Sequence, residues 1–94
     1  MDKFSMGTTV ICSLEVYKDG VLYDPYTSMK ITVTDKFEVK KINGELMLKA
    51  GTPVTGEYHY DCDTTGWVDG KFRVDYTATD NPRVSSEIYY FGLE

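Results

Sequence analysis

Ninety-four residues carrying a net charge of −5 leave room for one hydrophobic core, and they exclude a general nucleic-acid binder, which needs a basic stripe to neutralise phosphates. The basic residues gather only at Lys40, Lys41 and Lys49, where Glu38 and Glu45 are interleaved with them. Met1-Asp2-Lys3-Phe4-Ser5-Met6-Gly7 has no apolar leader pattern, and no run approaches the roughly 18–20 apolar residues of a membrane span. A cytoplasmic protein with no membrane partner is expected.

Residues 1–7 read as a flexible N-terminal arm and 8–94 as a single β-sandwich domain. The first strand is expected over 8–17, with Val10, Cys12, Leu14 and Val16 inward and Ser13 and Glu15 outward. Asp19-Gly20 is a two-residue hairpin signal that turns the chain into Val21-Leu22-Tyr23, and Asp24-Pro25 then breaks the strand. A strand over 28–34 puts Ile31 and Val33 inside. Asp35-Lys36 turns into 37–42. Asn43-Gly44, the dipeptide a type I′ turn favours, predicts a hairpin pairing 37–42 with 45–50 and placing Val39 opposite Leu48. A loop over 51–56 leads into the most regular part of the chain.

From 57 onward apolar and polar residues alternate. Tyr58, Tyr60 and Cys62 share one parity, with Glu57, His59, Asp61 and Asp63 on the other. After Asp69-Gly70, Phe72, Val74, Tyr76 and Ala78 alternate with Lys71, Arg73, Asp75 and Thr77. Successive side chains of a strand point to opposite faces, so this period means one face packed and one wet. Strands are predicted over 57–63, 70–79 and 86–93, with Asn81-Pro82 in the last turn. About seven strands with turns every 8–12 residues and no helical period indicate an all-β antiparallel sandwich.

No pattern of catalytic residues is present. His59 and Cys62 lie three apart on a strand, hence on opposite faces, which denies a thiolate its base. With a single histidine and no phosphate-cradling glycine loop, no enzyme activity and no cofactor are expected. Cys12 and Cys62 both fall on apolar parity and read as a buried pair of free thiols, with a disulfide, rare in reducing compartments, as the alternative. Asp61, Asp63 and Asp69, with Thr65 and Gly66 between, have the oxygen spacing of a calcium loop. Phe72 stands where such a loop needs its bidentate acid, and the flanks read as strands, so an acidic turn is the plainer reading and no metal is assigned. Trp67 is expected to plug the end of the sandwich.

Eight Tyr, four Phe and one Trp exceed what one small core needs. Tyrosine combines large apolar area with a polar tip and few rotamers, which suits protein interfaces. Tyr17, Tyr23 and Tyr26 near the first hairpin, with Tyr89 and Phe91 in the last strand, are the candidate interface residues. That strand also lacks the Pro or Lys that usually protects a sheet edge.

Gly56-Glu-Tyr58-His-Tyr60 followed by Asp69-Gly70-Lys-Phe72-Arg-Val74-Asp-Tyr76-Thr-Ala78 resembles the closing strands of immunoglobulin-like sandwiches, and 16–25 resembles their opening segment. Taken whole, the chain is similar to small immunoglobulin-like proteins encoded by tailed bacteriophages and prophages. Phe72 replaces the tyrosine-corner hydroxyl, and no Cys–Trp–Cys core pattern exists, which sets it apart from antibody-type domains. The resemblance implies a non-enzymatic virion component of head, neck or tail, found in the virion or in the host cytoplasm during assembly. Its partners would be other virion proteins or copies of itself. The alternative is a carbohydrate- or cell-surface-binding module, with Trp67 and loop tyrosines stacking on sugar rings.

Overall fold

A computed structural model describes residues 1–24, 28–49, 56–80 and 83–94. These form β1 (Asp2–Phe4), β2 (Thr9–Glu15), β3 (Tyr17–Lys18), β4 (Val21–Leu22), β5 (Ser28–Thr34), β6 (Lys40–Leu46), β7 (Leu48–Lys49), β8 (Glu57–Asp63), β9 (Gly70–Asp80) and β10 (Arg83–Leu93). A five-stranded sheet in the order β1-β10-β9-β5-β6 packs on a three-stranded sheet in the order β2-β8-β7, and β3-β4 is a separate ribbon. The fold is all-β and arranged as a sandwich. The expected break at Asp24-Pro25, the loop over 51–55 and the turn at Asn81-Pro82 lie wholly or partly outside the described residues.

Alternation does what it should in the central strands. Ile31 and Val33 of β5 and Phe72 and Val74 of β9 are buried, as are Val10, Cys12 and Cys62 of the opposite sheet. Facing rows of β-branched and aromatic side chains close the core between the sheets. Asp19 and Gly20 both have positive φ (53° and 79°), the geometry a two-residue I′ hairpin needs between β3 and β4.

Asn43-Gly44 is not a hairpin turn, and Val39 does not face Leu48. Residues 40–46 run through as one strand against β5, with Ile31 opposite Glu45 and Val33 opposite Ile42. Two residues of β5 thus span three of β6, and the extra one makes a β-bulge at Asn43-Gly44. Only Gly44 has positive φ (63°), and its N–H donates to Thr32 Oγ1 at 3.0 Å. The reversal lies upstream. The Asp35 carboxylate accepts N–H bonds from Phe37 (2.8 Å) and Val39 (2.9 Å), while Glu38 N–H donates to Asp35 O at 3.0 Å. Glu38 sits at φ 63°, where glycine or asparagine is usual. Asp35 fixes the turn and is itself buried.

Met47 is where the chain changes sheets: β6 pairs with β5, and β7 pairs with β8. Its side chain is buried and its N–H donates to Met29 O at 2.9 Å. The N-terminal arm is also corrected. Asp2–Phe4 is not loose but pairs in parallel with Phe91–Leu93 of β10. Phe4 then packs edge-on against Phe91, which stacks on Phe72, which stacks on Trp67. Trp67 is half-buried at the end of this column, as a plug should be.

Candidate functional site

The two large sheets differ in width, and the mismatch makes a groove. Cys12 of β2 and Tyr76 of β9 are in contact, so β2 lies over β9. Beyond β9 the wide sheet continues with β10, while the narrow sheet ends at β2. Among the described residues no strand lies beside β2 to cover the inner face of β10. The result is a groove of about 830 Å³ bordered by Val10–Glu15 on one wall and Glu87, Tyr89, Tyr90 and Phe91 on the other, with Tyr58, Val74 and Tyr76 between them.

This uneven cover explains the burial along β10. Phe91 and Leu93 share a parity with Glu87 and Tyr89, yet the first two are buried and the last two exposed. Phe91 is therefore a core residue, 4% exposed, that also lines the groove. Tyr89, on the same face one step beyond the cover, is 54% exposed and meets Tyr76 edge-on at 5.6 Å. Tyr17 is exposed at the mouth of the groove, and its hydroxyl donates to the Glu15 carboxylate, which holds that hydroxyl above the usual phenol range. Tyr23 stands apart, half-buried on the β3-β4 ribbon under Lys18 Nζ at 4.8 Å from the ring centroid. Tyr26 lies outside the described residues. Of the five candidates, Tyr17, Tyr89 and Phe91 line this one groove, the first two exposed and the third buried.

The groove's charged lining was not legible in the sequence. Asp2, Glu15, Glu57 and Glu87 all border it, and among the described residues no Lys, Arg or His does. Glu15 and Glu57 are directly opposite each other at the end of the β2-β8 ladder. Like charges in that position destabilise a strand pair, and the Glu15 carboxylate is bonded by the neutral Tyr17 hydroxyl, which leaves both charges in place. Between the walls, the Tyr58 hydroxyl donates to Asp24 Oδ1 at 3.2 Å. Burial, then the Asp24 charge and hydrogen bond, push this phenol up to about 12.

The two walls are open strand edges. Among the described residues β2 pairs only with β8, and over Arg83–Tyr90 β10 pairs only with β9, because the β1 pairing is confined to Phe91–Leu93. Ile11, Val84 and Ile88 are exposed along them. The remaining edges are managed in the usual ways. β1 and β7 are short, and β6 carries Lys40, Lys41 and two register shifts.

The other candidate constellations are dispersed. Asp63 Oδ1 accepts bonds from Thr65 N–H (3.1 Å) and Oγ1 (2.7 Å), which hold its carboxyl below the usual range. Asp69 pairs with Lys36 Nζ at 3.1 Å, and Asp61 lies 3.4 Å from His59 Nδ1. Each carboxylate thus has its own partner, and the three do not converge as calcium ligands. Among the described residues no His, Cys, Asp and Glu side chains gather into a metal-binding group. Cys12 and Cys62 are buried free thiols with Sγ atoms 3.8 Å apart. The hydrogen bond to Cys12, reinforced by burial, pushes the Cys62 thiol far up. Compared with known proteins, the chain matches no family model, and no curated protein or solved structure is significantly similar to it.

Proposed function

We propose that this chain is a non-enzymatic contact module, an immunoglobulin-like sandwich that works by docking to other proteins in an assembly, and that the assembly is a tailed-phage particle. One observation supports the contact reading above others: both unprotected strand edges border the same tyrosine-lined groove. An open edge offers a row of backbone donors and acceptors that a partner strand satisfies, and adjoining side-chain pockets give the choice of partner. The phage setting comes from the resemblance of the chain, taken whole, to small immunoglobulin-like proteins encoded by tailed phages and prophages. The contact reading is preferred to the carbohydrate one because one face of the Trp67 ring is stacked on Phe72 at 5.4 Å, which leaves less of it for a sugar. Mass spectrometry of density-gradient-purified particles from cells carrying the gene tests the proposal. The chain should be found at fixed stoichiometry in the particle fraction. Its confinement to the soluble fraction, with particles formed normally in its absence, would count against it.

A further inference from the structure

We infer that the groove beside β2 receives one extended, lysine- or arginine-bearing segment of a different protein chain, which adds a fourth strand to the three-stranded sheet. The inference rests on the contact reading above and names the partner's chemistry. The sheet facing β10 is one strand short, and the gap is bordered by backbone that is unpaired among the described residues. β2 has seven residues, so a matching segment of seven spans about 23 Å at the rise of a β-strand. Alternate side chains of that segment would point inward over Tyr76 and Tyr89, where apolar groups gain burial.

Charge selects the occupant. Among the described residues the charged side chains that line the groove are all acidic, and Glu15 faces Glu57 across the ladder with no lining cation beside them. A cationic side chain set at that end would relieve a repulsion that the free chain tolerates. A second copy is the weaker fit. It carries the same net charge of −5 and would set its own acidic groove and edge beside these carboxylates. A neutral or acidic strand could use the backbone edge but would leave the repulsion in place.

The probe is a capped nine-residue peptide, Lys-Thr-Lys-Val-Lys-Val-Lys-Thr-Lys, with its glutamate-for-lysine counterpart as control, titrated into isotopically labelled protein and followed by amide NMR. The lysine peptide should shift the amides of Thr9–Glu15 and Glu87–Phe91 and slow hydrogen exchange of the outward-facing β2 amides. The glutamate peptide should bind at least tenfold more weakly. Glu87→Lys should weaken the lysine peptide by about tenfold with the unfolding midpoint unchanged. Glu57→Lys should raise the unfolding midpoint, by converting a like-charge pair into an opposite one, yet weaken the peptide by a similar factor. Misfolding cannot produce that pair of opposite effects. Equal binding of the two peptides, shifts confined to other strands, or β2 protection arising from dimerisation would each overturn the inference. If the chain still sediments with particles while the lysine peptide fails, only the partner's chemistry is wrong. If the peptide binds as described but the chain is absent from particles, the assembly setting is wrong and the groove stands.

Discussion

Gly56 is where a single methyl group should do the most harm. It has φ 78°, and a Cβ built on it would lie 2.8 Å from Tyr23 N and 2.9 Å from Val16 O. Those are backbone atoms held by their own bonds: Val16 N–H donates to Gly56 O at 2.7 Å and Tyr23 N–H to Val16 O at 2.8 Å. Gly56 N–H also donates to Asp24 Oδ1 at 2.7 Å, so the site fastens the β3-β4 ribbon to the start of β8. Gly56→Ala incurs about 1–2 kcal/mol for a left-handed alanine. Displacing the two backbone bonds adds about 1 kcal/mol each. A total loss of about 3–4 kcal/mol is a large part of the roughly 5–15 kcal/mol that holds a small domain together. Gly44→Ala is the matched control, since φ is 63° and a Cβ there meets nothing within 4 Å. It should lose only the conformational part, about 1–2 kcal/mol. The entropy gained by removing a glycine from the unfolded chain is the same for both and cancels. Urea unfolding followed by fluorescence measures the difference. With a slope of about 1–1.5 kcal/mol/M, the Gly56 variant should unfold about 1–2 M earlier than the Gly44 variant. Equal midpoints would refute the packing argument at Gly56.

Four further outcomes follow from the geometry. Phe72, 0% exposed within the aromatic column, should lose about 3–5 kcal/mol on truncation to Ala, while Lys71→Ala beside it changes stability by less than about 0.5 kcal/mol in the same urea assay. At the β5-β6 turn, Asp35→Ala should destabilise by about 2 kcal/mol through the loss of two backbone bonds, and Glu38→Gly should stabilise by about 1 kcal/mol by relieving its positive φ, both read as shifts of the thermal midpoint. Cys12 and Cys62 should resist a thiol reagent in native buffer and react fully in concentrated urea; rapid native labelling would mean an open core. Tyr58 ionises only at about 12 in the folded chain, above the ordinary tyrosine value near 10. Its contribution is therefore complete below about pH 10 and is lost as pH rises through about 12. Tyrosinate absorbance should show several late-ionising tyrosines, Tyr60 and Tyr76 among them, and Tyr58→Phe should lower that late amplitude by one tyrosine without abolishing it.

How far the sequence was legible depended on where each strand lies. β5 and β8 occupy 28–34 and 57–63 as their alternation indicates, because both sit between neighbours with one face covered along their whole length. Parity failed at β10, where Tyr89 and Phe91 share a face but the opposing sheet covers only the second. Burial there is a property of the other sheet's width, which no local pattern records. Asn43-Gly44 misled for a different reason. The positive φ that suits a I′ turn also suits a bulge, and the choice was made by the Asp35 carboxylate, which had already turned the chain. β1 has three residues and no periodicity of its own, so only pairing with β10 makes it a strand. Tyr17 and Tyr89 could be picked out as surplus aromatics, but the acidic lining that accompanies them comes from residues 2, 15, 57 and 87, brought together by topology alone.

Residue-resolved hydrogen exchange on the dilute, unliganded protein tests the open groove most directly. An edge strand leaves every second amide without a partner, whereas a central strand protects them all. Amides of residues 30–34 in β5 and 73–79 in β9, flanked on both sides, should exchange slowly, and those of Thr9–Glu15 and Arg83–Tyr90 should alternate between slow and fast, with the alternation ending where β1 begins to cover Phe91–Leu93. Uniform protection along β2 in a monomeric sample would show that its edge is already occupied, and would contradict a groove waiting for a partner's strand.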